Sequence, residues 1–373
     1  MNIKTPDIND YEKVMKYLED AYGHSYNYFS YRYPHVSRKE NIDFDNILII
    51  EENEKICSLV RIFPILTIQN QIELKFGGIG SVSTAYEERG KGYMSILMQE
   101  AIKKMKKDGY ELSILWGDRH RYKNFGYEIG GKVVLITITT RGLEKMNISS
   151  VKTKRYLNEE KILEKIIKNY NERKYRIKRD ENYFKDIYKI YNTALYYSEQ
   201  DDKFGYVVIE TSGFETRVYE QAGDETLILG ILKYLSERFG KRTFTLEFPN
   251  FEEIPEKILE ASSGWSIIPA GMIKIINLRK LVELYKNLIG SQLEEGEDII
   301  FEIENKEKAG IKKEKNKLKI VEEGKNVIKL KEEEMVRLFF NVSGSGLKIG
   351  GVFSEKIKKI FPIEIYFPFL DHI

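Results

Sequence analysis

Two hydrophobic periods run along this chain, and the change from one to the other marks its elements. Residues 79–84 form a short β-prone run bounded by glycines, which predicts a strand near a sheet centre. From Met94 onward, Ile96, Leu97, Ala101, Ile102 and Met105 fall on one helical face. Upstream, Val14, Leu18 and Ala21 predict a first helix over 8–22, behind the candidate caps Asn9 and Asp10. Residues 46–51 and 55–63 read as a hairpin about Glu52-Asn53, and 65–75 as a further strand pair. Asp108-Gly109 then ends the helix, 112–116 is a strand, 117–121 a polar loop, and 132–139 a long closing strand.

The second half repeats this order less regularly. Residues 149–156 are polar and read as a linker. Helical patterns follow at 160–169 and 181–193, then strands at 204–210 and 215–220. A helix over 226–239, stopped by Gly240, leads to a strand at 242–248. That succession echoes 79–115 and hints at a duplication. Its turn carries Asp224 and Glu225, where a phosphate would be repelled. Beyond 271–277 and 278–285, which lead into the third part, strands at 298–303, 317–321 and 327–330 precede helices at 332–340 and 353–361. They predict a small sheet backed by helices. The fold class is α+β (mixed α/β).

Composition narrows the picture. At 373 residues the chain exceeds one ordinary domain, and 42% hydrophobic content supplies real cores. No run approaches the ~20 apolar residues of a membrane span, so no membrane partner is expected. The first residues lack the regions of a signal peptide. The one cysteine, Cys57, excludes an internal disulfide, fits a reducing cytoplasm and reads as a packing residue. Lys plus Arg (60) nearly balances Asp plus Glu (58), so no nucleic-acid partner is expected. His24, His35 and His120 show no ligand spacing, and no metal is expected.

The chemistry concentrates between strand and helix, at Arg89-Gly90-Lys91-Gly92-Tyr93-Met94. Glycines there let the backbone turn sharply and leave N–H groups uncovered. A helix start with free N–H groups and a positive dipole end binds anions, and Arg89 and Lys91 add cationic donors. The chain carries neither a Gly-Lys-Ser/Thr phosphate loop nor the dinucleotide Gly-x-Gly-x-x-Gly at this place. An ordinary turn remains the alternative.

These residues resemble the acyl-CoA loop of the GNAT N-acetyltransferases. Arg89, Gly92 and Met94 occupy its Arg/Gln, Gly and Gly/Ala positions, the last being a departure. Downstream, Tyr122-Lys-Asn-Phe-Gly-Tyr127 resembles that family's Tyr/Phe-Gly-Phe/Tyr element. The order of elements across almost the whole chain is similar to the Eis (enhanced intracellular survival) branch. The resemblance implies a catalytic GNAT domain at 1–148, a degenerate GNAT-like domain at 149–282, and a sterol-carrier-like domain at 283–373.

It also implies acetyl-CoA as co-substrate and transfer to a primary amine, with acceptors of aminoglycoside, polyamine or lysine type left open. Val82, Ser83 and Thr84 would face the pantetheine arm, and Arg89, Gly90, Lys91, Gly92, Tyr93 and Met94 the pyrophosphate. Tyr122 would be the general acid, and the terminal carboxylate, here that of Ile373, the base. Members usually end in Phe. Homo-oligomers, hexamers in that branch, are implied by the same resemblance. Read from the residues alone, the apolar stretch 361–373 predicts a packed tail, and His372 offers an alternative base. A non-enzymatic acyl-CoA or lipid-binding sensor is the rival function.

Overall fold

The computed structural model describes residues 2–341 and 354–372. A long hairpin sets the geometry of the first half. Strands Lys55–Gln69 and Ile72–Thr84 pair antiparallel and turn at Asn70 and Gln71, both with positive φ. Their register shifts between Leu59 and Arg61, opposite Ser83 and Gly80, so Ser81 and Val82 together face Val60. This bulge, with Ser81 at φ 53°, re-aims the end of the strand. The other edge of Ile72–Thr84 pairs in parallel with Leu112–Leu115, over Phe76 to Gly78 alone. The ladder stops there, and the last residues of the strand keep a sheet partner on one side.

The helix Tyr93–Lys107 connects these two parallel strands. Its buried residues are Tyr93, Leu97, Met98, Ala101 and Met105, and Ile96 and Ile102 are part-buried against the same core. Fully burying one such aliphatic side chain contributes about 1.5–3 kcal/mol. Gly77 permits the close approach, since a Cβ there would lie 2.2 Å from Met105 Sδ.

The two halves share one sheet. Strand Ser262–Ile275 is inserted between Leu112–Leu115 and Glu128–Thr139, and Glu128–Thr139 pairs on its far side with Thr243–Phe248. Beyond it a second parallel unit recurs, Glu215–Gly223, helix Glu225–Phe239 and Thr243–Phe248. Three segments of the sheets differ from the sequence reading. Within the expected linker, Thr153–Arg155 pairs as a strand on Thr193–Gln200. The helix expected to 193 stops at Ile187, and Thr193–Gln200 is itself a strand. That strand is buried on both faces, so its tyrosine-rich sequence shows no period of two. Strand Glu307–Glu314 escaped notice because lysines and glutamates flank its buried Ala309, Gly310 and Ile311.

A four-stranded sheet closes the chain, with Asp298–Ile303 between Glu307–Glu314 and the parallel Val327–Leu330, and Lys317–Val321 at one edge. The helix Ser354–Ile360 then delivers the tail. Lys132 N–H donates to Ile365 O (3.0 Å), and the Gln69 amide brackets the Tyr366 backbone at 2.9 and 3.1 Å. Glu247 accepts from Tyr366 OH (3.1 Å) and Phe369 N–H (2.8 Å). The tail is packed, as its apolar composition predicts, with Tyr366, Phe367, Leu370 and Asp371 buried. Among the described residues, no helix is long and apolar enough to cross a membrane.

Candidate cofactor and acceptor site

The glycine turn fulfils its local role through φ. Gly90 and Gly92 sit at φ 83° and 80°, a left-handed conformation that costs an L side chain roughly 1–2 kcal/mol. A Cβ at either would meet nothing within 4 Å, so backbone conformation alone demands glycine. Gly92 caps the helix Tyr93–Lys107 without a side-chain hydrogen bond, which leaves its first N–H groups open. The second parallel unit is built the opposite way. There Asp224 accepts from the Thr226 and Leu227 N–H groups at 2.9 and 3.1 Å, so a carboxylate of the chain holds the equivalent position.

A cavity of ≈ 600 Å³ lies over the open turn. Val82, Ser83, Thr84, Arg89, Gly90, Gly92, Tyr93 and Met94 all line it. Lys91 does not. Its ammonium is exposed and paired with Glu88 at 2.6 Å. Four further residues line the cavity that the sequence did not assign to it, Ala21, Tyr22, Glu88 and Arg121. Arg121 precedes Tyr122 in the second motif, which was the available signal. Tyr22 offers none, because it ends a helix remote in sequence. Its hydroxyl donates to Val82 O at 3.0 Å and so fixes the bulge.

Tyr122 lies in an adjoining cavity of ≈ 220 Å³, and Tyr22 and Val82 line both. The 117–121 stretch expected as a loop is partly helical, with Arg119–Tyr122 capped by Asp118, whose carboxylate accepts the His120 N–H. Tyr122 is buried, and burial raises its phenol pKa, while the Arg121 guanidinium acts in the opposite direction. The phenol is therefore protonated at neutral pH. Tyr127 serves packing, since it is fully buried and hydrogen-bonded to Ser113 Oγ at 2.7 Å. Glu128 anchors the motif to the last part of the chain. Burial alone would raise its carboxyl, yet hydrogen bonds from Arg119 (2.7 and 2.8 Å) and Arg337 (3.0 Å) hold it down at about 2.

A third cavity, also ≈ 220 Å³, shares Tyr33 and Trp116 with the Tyr122 cavity and is closed by Phe369, Leu370 and His372 of the tail. Asp371 fixes that tail. Arg179 pairs with it in a fork at 3.0 and 2.6 Å and with Glu220 at 2.7 Å, all three side chains fully enclosed. Ile373 lies outside the described residues. His372, the alternative base, is buried, and desolvation pushes its imidazole down to about 3. A ring so weakly basic is a poor proton acceptor at neutral pH.

Glu52, Cys57 and Glu88 bring ligand-type atoms within 4.8 Å of one another. Glu52 accepts the Tyr93 hydroxyl (2.7 Å), Glu88 pairs with Lys91, and Cys57 Sγ donates to Lys55 O. Burial raises the Cys57 thiol, which matches its packing role.

Comparison with known proteins agrees with this geometry. The acetyltransferase (GNAT) domain family matches residues 2–130. None of the curated proteins compared with the chain matches it. Among solved structures, a GCN5-related N-acetyltransferase from Kribbella flavida superposes with TM-score 0.71 at 14% identity, covering 100% of both chains. Eis1 from Mycobacterium abscessus gives TM-score 0.67 at 9% identity, again over 100% of both. A conserved protein of Enterococcus faecalis V583 gives 0.73 at 20% identity, covering 98% of this chain and 99% of that one. At such identities these likenesses show the fold, and the domain match shows the class of chemistry. Residues 2–130 are accordingly a GNAT acetyltransferase domain, and the chain over its full length shares the fold of these solved structures, Eis1 among them.

Proposed function

We propose that the chain transfers an acetyl group from acetyl-CoA to a primary amine, with Tyr122 as general acid and the Ile373 carboxylate as base. The observation that carries this reading is the continuity of two cavities. The one over the uncapped turn Arg89–Met94 and the one holding Tyr122 meet at Tyr22 and Val82. CoA would lie with its diphosphate on the open N–H groups of Gly92, Tyr93 and Met94 beside Arg89, and its pantetheine arm along Val82, Ser83 and Thr84.

In the reaction, the neutral amine nitrogen attacks the thioester carbon and a C–N bond forms. The oxyanion is met by backbone N–H donors at the bulge. As the C–S bond breaks, the Tyr122 hydroxyl gives its proton to sulfur, and the carboxylate takes the proton leaving nitrogen. The division at 148 and 282, a sterol-carrier-like last domain and homo-oligomeric assembly belong to the same reading and rest on the resemblance, and a cytoplasmic location rests on the single cysteine. The test is thiol release from acetyl-CoA over a panel of primary amines, with Tyr122→Phe beside the parent chain. Amine-dependent release that falls in the variant supports the proposal. Release that is unchanged removes Tyr122 from the mechanism, and CoA binding without turnover favours a sensor.

A further inference from the structure

The acceptor end of the site is lined by aromatic rings and the Arg32 guanidinium, and the Ile373 carboxylate proposed above as the base would serve the reacting nitrogen alone. Among the described residues, neither the Tyr122 cavity nor the tail cavity is lined by any Asp or Glu. Tyr33, Trp116, Tyr219 and Phe369 supply flat walls to the tail cavity, and Arg32 lines it. Arg217 stands just outside, its guanidinium carbon 4.5 Å from the Phe369 ring centre. Neither arginine forms an ion pair among the described residues.

This lining matches poorly with a polycation. A polyamine or aminoglycoside carries several ammonium groups, and each one beyond the reacting nitrogen needs a carboxylate or water. Here those extra charges would face the Arg32 guanidinium among aromatic side chains. A cavity of ≈ 220 Å³ is also small for a ligand pocket and suits one ring-sized body. A guanidinium at the end of an aromatic slot is, by contrast, a good partner for a carboxylate, which it can hold with two parallel hydrogen bonds.

Resting on the acetyl-transfer reading above, we infer that the acceptor is a primary amine on an aromatic or apolar body ending in an anionic group. The amine reaches the thioester in the Tyr122 cavity, the body packs against Tyr33 where the two cavities meet, and the anion pairs with Arg32. Arg32 is thus a specificity-determining residue, and the acceptor is an amino acid-like arylalkylamine of the carboxylate class.

The experiment uses three probes with the full chain: 4-(2-aminoethyl)benzoate, 2-phenylethylamine and spermidine. Turnover is followed by thiol release at saturating acetyl-CoA, and binding by calorimetry on the CoA-loaded chain. The benzoate should exceed phenylethylamine about tenfold or more in kcat/KM and in affinity, with spermidine last. Arg32→Gln should bring the benzoate-to-phenylethylamine ratio close to one, and Arg32→Lys should restore part of it. Preference for spermidine, no measurable binding of the benzoate, or a ratio unmoved by Arg32→Gln overturns the inference. Anion-selective binding without turnover of any amine upholds the acceptor class and refutes acetyl transfer. Turnover that favours spermidine does the reverse.

Discussion

The rings of Trp116 and His372 stack with centroids 3.9 Å apart and planes 27° from parallel. One residue follows the strand Leu112–Leu115 of the acetyltransferase domain, and the other is residue 372 of the tail. The indole N–H donates to Ala270 O at 2.8 Å, so the inserted strand Ser262–Ile275 orients the same ring. Phe367 packs edge-on against it with centroids 5.1 Å apart. Three distant segments thus meet at one wall of the acceptor cavities, and the chain end is brought there by packing.

Tyr122→Phe removes one hydroxyl from a buried ring. General acid catalysis by a positioned side chain contributes about 10²–10⁴-fold. The variant should lose about 10²-fold or more in kcat while keeping CoA affinity, as read by steady-state kinetics beside calorimetry.

Gly117 controls the same ring from behind. A Cβ on Gly117 would lie 2.9 Å from the Tyr122 ring. Gly117→Ala should therefore push the phenol out of place and lower kcat, with a smaller change in the KM for acetyl-CoA. An unchanged kcat would mean that the ring position is not critical.

Gly92→Ala places an L side chain at φ 80° in open space. The expected result is a destabilisation of about 1–2 kcal/mol by denaturant titration, from backbone strain alone. CoA affinity should fall as well, because relaxing the strain moves the uncapped N–H groups.

Asp371→Asn removes a charge from the buried Arg179 cluster. Breaking a buried pair leaves an uncompensated charge and costs about 3–5 kcal/mol. Glu220 still faces Arg179 at 2.7 Å, so the loss should fall toward the lower end. Turnover should drop with it, since Asp371 holds the last residues in place.

The tail also carries a pH dependence. Burial pushes the Glu247 carboxyl up to about 8, against the hydrogen bonds from Phe369 N–H and Tyr366 OH that favour its charged form. Between about 4.5 and 8 the folded chain holds this proton and the unfolded chain does not. Stability from this group therefore falls as pH rises, at about 1.4 kcal/mol per pH unit at most. Desolvation depresses His35 and His372 to about 3, which gives the opposite slope between about 3 and 6.5. From 6.5 to 8 Glu247 acts alone among the three. Glu247→Gln keeps an acceptor for Phe369 N–H, and its stability relative to the parent chain should grow through 4.5–8. A constant difference across that range would contradict the assignment.

How much of this was readable beforehand depended on distance along the chain. The strand, glycine turn and helix over 79–105 were legible because φ demands, capping and helical period are local. The Asp224 plug was legible for the same reason, one carboxylate at the start of one helix. The insertion of Ser262–Ile275 was not, because Gly271 pairs with Gly130 and no period reports a partner so far off. The Arg337 contact to Glu128 and the arrival of the tail at Trp116 were hidden likewise. Within the loop, the pairing of Lys91 with Glu88 three residues earlier is a side-chain choice that charge alone does not report.

A crystal structure of the chain with coenzyme A bound tests the central claim most directly. The account predicts diphosphate oxygens within hydrogen-bond distance of the backbone N–H groups at Gly92 to Met94, and the thiol sulfur beside the Tyr122 hydroxyl. Coenzyme A bound elsewhere, or a sulfur remote from that phenol, would contradict it.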